Sequence, residues 1–541
     1  MPLKVFSNPQ DAGSKRGGTQ YDPQKVSRIL YAVNPPKRGL PPEEMRITVH
    51  AAVTRISVLY EKLRNAVDYR EEHLLRKGAI VRILKRQLVL DVDPLNISQN
   101  LIRELIAARY LPNASLPETI IDEAAQVIRK YQAIERARFG GERHRSWVLG
   151  IIATELEELL MEPLREKALV TFLYEQLAPK IRVLGVEIED TERRLEIYIA
   201  CYRTLLKADD EQIAYKYLRA YLQEWMNPDV WLSSPDAVAE RLVGLEPHIR
   251  KQIQSPLTQR FVKAVKPWSV SISVLIDALD KEREKQDLLS STEDTHIAVA
   301  SAAEKRQKGA NGKLRRGTIR AMIYLLITKV IFALGIEVPI EWYMYGAVAT
   351  IPLSINIALP PVIMFFVGVF IRRPDSANKL RIVEYVDSLL IRDGIKPFDI
   401  RLPRKRHGTS QLILGFMYFA LFVFTFGEIG YWLRRIHFSY AAIAVFYLFL
   451  CLVSFFGYRL RRTAREILVI QPKERLLTSL ADFVLLPILR AGSWLSTSIS
   501  KINIFTFILD VLFEAPLKIF LGAFEESLRF IKEKKDELSQ E

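Results

Sequence analysis

Cysteine is nearly absent. Only Cys201 and Cys451 occur in 541 residues, one in a polar stretch and one in an apolar run. That excludes a disulfide framework and offers no Cys/His spacing for a metal, so no metal partner is expected; a reducing compartment around the polar half fits. An N-terminal apolar core is missing as well. Met1 to Gly39 contains Lys, Arg, Gly and Pro but nothing resembling a signal peptide, and Asp11 and Asp22 argue against a transit peptide. Strand signals are lacking too. Between Pro41 and Glu282 no run alternates in the β-branched manner of a strand.

Catalytic motifs are likewise missing. None of the seven histidines forms H-E-x-x-H, and Gly309-Ala310-Asn311-Gly312-Lys313 lacks the spacing and the Ser/Thr of a P-loop. The apolar runs hold no Asp and no His, which removes intramembrane aspartyl or Ser/His hydrolysis. The expectation is a protein without enzymatic activity and without a cofactor.

What the chain does have is charge of one sign and long hydrophobic runs. Lys and Arg number 77 against 62 acids, a net charge of +15. Nucleic acid or an anionic membrane surface would explain such a balance. The positions of the charges favour the membrane, and no nucleic-acid partner is expected. Four charge-poor runs lie between Ala321 and Leu460: Ala321 to Val338, Trp342 to Ile371, Gln411 to Leu433 and Ser439 to Tyr458. Each is long enough to cross a bilayer. The second, as one straight helix, would reach about 45 Å against a hydrocarbon core of about 30 Å. Pro352 and the pair Pro360-Pro361 imply a broken crossing or a re-entrant hairpin there.

Lys and Arg number seven over 305–320, ten over 372–408 and six over 459–475, but none over 337–341 and two over 434–438. The positive-inside rule then puts both termini and the 372–408 loop in the cytoplasm. Trp342, Tyr343, Tyr345, Tyr431 and Trp432 would mark the opposite interface. The location implied is the plasma membrane, the inner membrane of a bacterial cell.

The expected fold is all-α. Residues 1–40 read as a disordered arm. Residues 41–283 read as a helical cytoplasmic domain, a bundle or a stack of hairpins. Pro41-Pro42-Glu43-Glu44 makes a helix start, followed by a heptad seam of Val49, Ala52, Ile56, Leu59, Leu63 and Ala66. That seam could oligomerise, giving self-association, or could pack within its own bundle. Residues 284–318 read as a basic linker, part disordered and part helix. Residues 319–460 form the four-span region with its loop 372–408. Residues 461–541 are amphipathic, with a stripe of Asp510, Glu514, Lys518 and Glu525, and fit helices in the membrane plane.

Three groups of residues stand out as candidate sites. Lys329, near the middle of the first run, and Glu428, in the third, could pair within the membrane, either as an ion or proton path or as a packing device. Pro352, Ser354, Asn356, Pro360 and Pro361 could free backbone groups at a broken-helix site. Arg401, Arg404, Lys405 and Arg406 would face anionic headgroups, each worth about 1 kcal/mol, or simply set topology.

Two stretches resemble a known kind of protein. Gly317-Thr318-Ile319-Arg320-Ala321-Met322-Ile323-Tyr324 through Pro360-Pro361, and Ser500-Lys501-Ile502-Asn503-Ile504-Phe505 through Glu514-Ala515-Pro516, resemble uncharacterised multi-pass bacterial membrane proteins with helical cytoplasmic domains. The resemblance implies an architecture and carries no activity. The role that follows is a scaffold or assembly factor joining cytoplasmic protein partners to the membrane, with a transporter or channel component as the alternative.

Overall fold

A computed structural model describes residues 21–36, 42, 45–49, 54, 57, 58, 61, 71–90, 93–136, 141–185, 187–227, 230, 233–282, 285–370, 376–401, 408–464, 483 and 485–495. The chain is predominantly helical, as its patterning requires. Helix α1 (Pro23–Val33) begins where Asp22 accepts a hydrogen bond from Gln24 N at 3.0 Å and proline takes the first turn. Ile29, Ala32 and Val33 enter the core. The expected arm over 1–40 therefore gives way to folded chain at Tyr21. Residues 1–20 lie outside the described set.

The helix expected from Pro41 is also corrected. Arg46 pairs with Pro117 as an antiparallel bridge, and Val49 exchanges hydrogen bonds with the Asn113 side-chain amide. An extended segment satisfies its backbone against the 111–118 turn instead. Most of the heptad seam that follows lies outside the described residues.

Then come α2 (Glu72–Leu90), α3 (Pro94–Ala107), α4 (Ile120–Arg136), α5 (Glu142–Met161) and α6 (Leu164–Leu177). After a strand, they continue as α7 (Asp190–Leu206), α8 (Asp210–Tyr221), α9 (Pro235–Ile253) and α10 (Pro256–Leu279). Helix α5 is central, packed on α2, α4 and α8. Its sequence Thr154-Glu155-Leu156-Glu157-Glu158 puts three carboxylates in the interior. Each has its own cation: Lys130 with Glu155 at 2.6 Å, Arg76 with Glu157 at 2.9 Å, and Lys216 with Glu158. Such pairs add little net stability, but losing one partner costs about 3–5 kcal/mol. They fix which helix lies against α5.

One feature contradicts the strand-free reading. β1 (Ile181–Leu184) pairs in parallel with β2 (Phe398–Arg401), Ile181 opposite Phe398 and Leu184 opposite Arg401. Helix α15 (Ser376–Leu390), just before β2, packs on α10, with Trp268 edge-on to Tyr385 at 4.6 Å. Ile382, Val386, Leu389, Ile395 and Ile400 belong to the same hydrophobic core as α1 to α10. Tyr21 donates to Asp387 at 2.8 Å, and His296 meets the same carboxylate at 2.8 Å. Residues 376–401 thus form an integral part of the helical domain rather than a loop.

The basic linker, expected to be part disordered and part helix, is helical through nearly all of its described residues. After α11 (Lys285–Ser290), α12 runs from Thr292 to Phe332 without a break, capped by Ser291, whose hydroxyl accepts from Asp294 N at 3.2 Å. Its 41 residues span about 60 Å. It packs on α10 and α15 at one end and on α14 (Thr350–Phe370) and α17 (Tyr440–Ala464) at the other. A π turn (Ala333–Glu337) joins it to α13 (Val338–Tyr345), which ends at Gly346 with φ +67°. The chain reverses there and enters α14. Helix α16 (Gly408–Arg435) precedes α17, and α18 (Leu485–Leu495) follows. By length and composition, Thr292–Met344, Leu412–Arg435 and Tyr440–Tyr458 are sufficient to cross a membrane, and Thr350–Phe366 and Leu485–Leu495 are shorter apolar helices. Apart from 461–464, 483 and 485–495, the amphipathic region over 461–541 lies outside the described residues.

Candidate functional site in the apolar bundle

Helix α12 turns one stripe inward: Thr318, Met322, Leu325 and Lys329, at steps of four, three and four. The last of these buries an ammonium among apolar helices. Its partner is Glu337, with Nζ to Oε2 at 3.1 Å. Eight residues of regular α-helix turn through roughly 800°, leaving two such side chains about 80° apart. The π turn between them holds an extra residue and takes up part of that offset. Val338 N accordingly bonds Ala333 O, five residues back. Pro339 supplies the cause, since it has no N–H to offer Gly335 O and its ring would crowd that carbonyl.

Glu337 is held from the other side by Asn356 of α14, whose Nδ2 donates to Oε1 and also to Ala442 O of α17 at 3.3 Å. Lys329 Nζ sits 4.4 Å from the Phe449 ring centroid, and Phe332 lies edge-on to Phe449 at 5.4 Å. A second carboxylate lies one turn further along. Glu341 accepts from Ser439 Oγ at 3.0 Å and from Ala349 N at 3.3 Å, while Ser439 Oγ caps α17 by accepting from Ala442 N. Lys329, Glu337, Asn356 and Glu341 are 0%, 2%, 1% and 3% exposed. Four elements, α12, α13, α14 and α17, are laced together by one polar chain.

The expected pair of Lys329 with Glu428 does not form. Glu428 is exposed on α16, and the carboxylate that meets Lys329 comes from its own stretch of chain. Ending the first run at Val338 had made Glu337 and Glu341 look like residues of an external turn. The true reversal is at Gly346, so both acids fall inside the helical rod.

Of the broken-helix residues, only Asn356 joins the cluster. Pro352 is in the first turn of α14, where no N–H is required, and Ser354 is exposed. Pro360 and Pro361 sit inside an unbroken α14; they withhold donors from the carbonyls of Asn356 and Ile357, one turn back. Arg401 is in β2, paired with Leu184, within the helical domain. Arg404, Lys405 and Arg406 lie outside the described residues. Among the described residues, no group of three or more His, Cys, Asp or Glu side chains could hold a metal ion.

Chemically, the cluster is an ammonium, a carboxylate and an amide in series, with a second carboxylate held by neutral donors. Comparison with known protein families, with characterised proteins and with solved structures yields no match to this chain.

Proposed function

We propose that this is a multi-pass membrane protein of non-enzymatic role, a scaffold or assembly factor that holds protein partners of its helical domain at the membrane. Four crossings, α12–α13, α14, α16 and α17, would leave that domain on the lysine- and arginine-rich side, in the cytoplasm, with anionic headgroups beneath it. The observation that carries the reading is the double connection between domain and bundle. Helix α12 runs uninterrupted from one into the other, and α15 and β2 return the chain to the domain core. Such a domain has a fixed bearing on its bundle, which suits presenting a surface to partners. Crosslinking and affinity capture from native membranes, with the full chain as bait, should recover a stoichiometric cytoplasmic partner. Failure to recover one under several crosslinkers would sink the scaffold reading.

A second reading, a transporter or channel component, draws on the buried cluster of Lys329, Glu337, Asn356 and Glu341, since ionisable groups inside an apolar bundle are costly and frequently mark a pathway. In that case K329M/E337Q would abolish proton-coupled flux in proteoliposomes. For a scaffold the same variant still captures its partner.

A further inference from the structure

We propose that the outer face of α12, where it leaves the helical domain, binds one anionic phospholipid. The phosphate sits on Arg316 and Arg320, and an acyl chain runs along Ile323, Ile327 and Ile331. This inference rests on reading α12 as a membrane crossing.

The inward face of this stretch is taken by Thr318, Met322, Leu325 and Lys329, so positions 316, 320, 323 and 327 point away from the bundle. Arg315, Arg316 and Arg320 are all exposed there. Three neighbouring cations are already engaged. Lys308 and Lys379 pair with Glu304 at 2.8 and 3.0 Å, and Arg306 with Asp277 at 3.5 Å. Arg316 and Arg320 have no carboxylate partner among the described residues.

Their height suits a headgroup. At 1.5 Å per residue, both begin within about 8 Å of Ala321, where the apolar run starts. The Arg316 guanidinium folds back along the helix, its nitrogens 3.9 Å from the position a Cβ would take on Gly312. It points away from the apolar run, as a snorkelling side chain does. Arg316 and Arg320 are one turn apart, about 6 Å, and two planar guanidinium forks at that spacing can share a phosphate. Below them the same face becomes an isoleucine lane. Ile323, Ile327 and Ile331 are 54%, 54% and 65% exposed, and they form a lane about 12 Å long within the run. A cationic head above an apolar lane matches an amphiphile. An acidic segment of a protein would use only the upper half.

The test uses the full-length chain purified from membranes in mild detergent. Native mass spectrometry counts phosphatidylglycerol retained against phosphatidylcholine offered at equal concentration. The wild type should hold one phosphatidylglycerol preferentially. R316Q/R320Q should lose that preference by roughly fivefold for each arginine neutralised, and R316K/R320K should keep part of it. K305Q, on the same helix but about 24 Å from Ala321, should behave as wild type. Unchanged retention by R316Q/R320Q, or equal loss in K305Q, would overturn the site. So would dimers that disappear in R316Q/R320Q while lipid retention stays constant, because the face would then serve a second copy. Release of the chain from membranes by alkaline carbonate would overturn the crossing itself, a failure visible before any lipid is counted.

Discussion

Lys329→Met isolates the ion pair at the centre of the apolar bundle. Methionine keeps most of the aliphatic stem against Phe332 and Phe449 and removes the ammonium that stands 3.1 Å from Glu337. Glu337, still buried, is then left with the Asn356 amide as its donor. Removing one member of a buried pair costs about 3–5 kcal/mol. At about 2–4 °C per kcal/mol for a unit of this size, the apparent Tm should fall by roughly 6–20 °C. K329M/E337Q removes the stranded charge and keeps an acceptor for Asn356, so it should recover most of that loss. The measurement is thermal unfolding of the full-length protein in a single detergent, read by tryptophan fluorescence and by survival of a monodisperse size-exclusion peak. E428Q, at an exposed position, serves as the reference and should leave Tm unchanged. The reasoning fails if K329M costs less than about 2 °C, or if the double variant is no better than K329M.

Three further outcomes follow from buried groups elsewhere. Glu196, 1% exposed, accepts through Oε1 from Tyr217 at 2.7 Å and Gln252 at 2.8 Å, while its Oε2 has no partner among the described residues. Burial raises its carboxyl above the ordinary value. The folded state therefore holds that proton more tightly than the unfolded one, and wild-type stability falls as pH climbs from the ordinary carboxyl value through the raised one. E196Q should stabilise the domain by about 1–3 kcal/mol at neutral pH, with the gap closing near about pH 4; denaturant unfolding that shows an equal gap at both pH values would contradict this. Ile400→Asp puts a carboxylate into the domain core from β2 and should cost about 3 kcal/mol or more, exposing the buried Cys201 thiol to labelling; unchanged labelling would mean that β2 is not part of that core. A Cβ on Gly492 would clash with the Cys451 carbonyl oxygen, whereas one on Gly335 meets open space. G492A should therefore lift α18 from α17 and speed Cys451 labelling, and G335A should not; equal rates would refute that packing.

Most helices were legible because their signals are local: Ser255-Pro256 and the apolar stripes act within a few residues. The helix that opens at Asp22-Pro23 was missed, because the surrounding composition reads as a disordered arm. The parallel pair β1 and β2 was not legible. Ile181-Arg182-Val183-Leu184 and Phe398-Asp399-Ile400-Arg401 are too short to stand out, and each needs a partner more than two hundred residues away. Gly309 and Gly312 fall in the stretch read as a basic linker, part disordered and part helix, yet α12 passes through them unbroken, since packing at both ends of the rod outweighs a propensity cost of about 1 kcal/mol per glycine. In the bundle, Lys329 and Asn356 could be singled out from type and position alone. Their partner could not, because recognising Glu337 required knowing that the chain reverses at Gly346 and that a π turn rotates the acid towards Lys329. Proline misled twice for one reason. Pro352 falls in the first turn of α14 and Pro360-Pro361 inside its unbroken length, and sequence spacing does not fix where in a helix a proline lies.

The return of residues 376–401 to the helical domain has a consequence for how the protein is made. Synthesis runs from the N-terminus, so α1 to α11 emerge first, with Tyr21 lacking Asp387, β1 lacking β2, and α10 lacking α15. Both α12 and α14 must then leave the ribosome before α15 and β2 exist. The domain cannot close its core until the first apolar hairpin has been synthesised. Its final folding step therefore follows the making of that hairpin, and a chain stalled before Ser376 would leave the domain open.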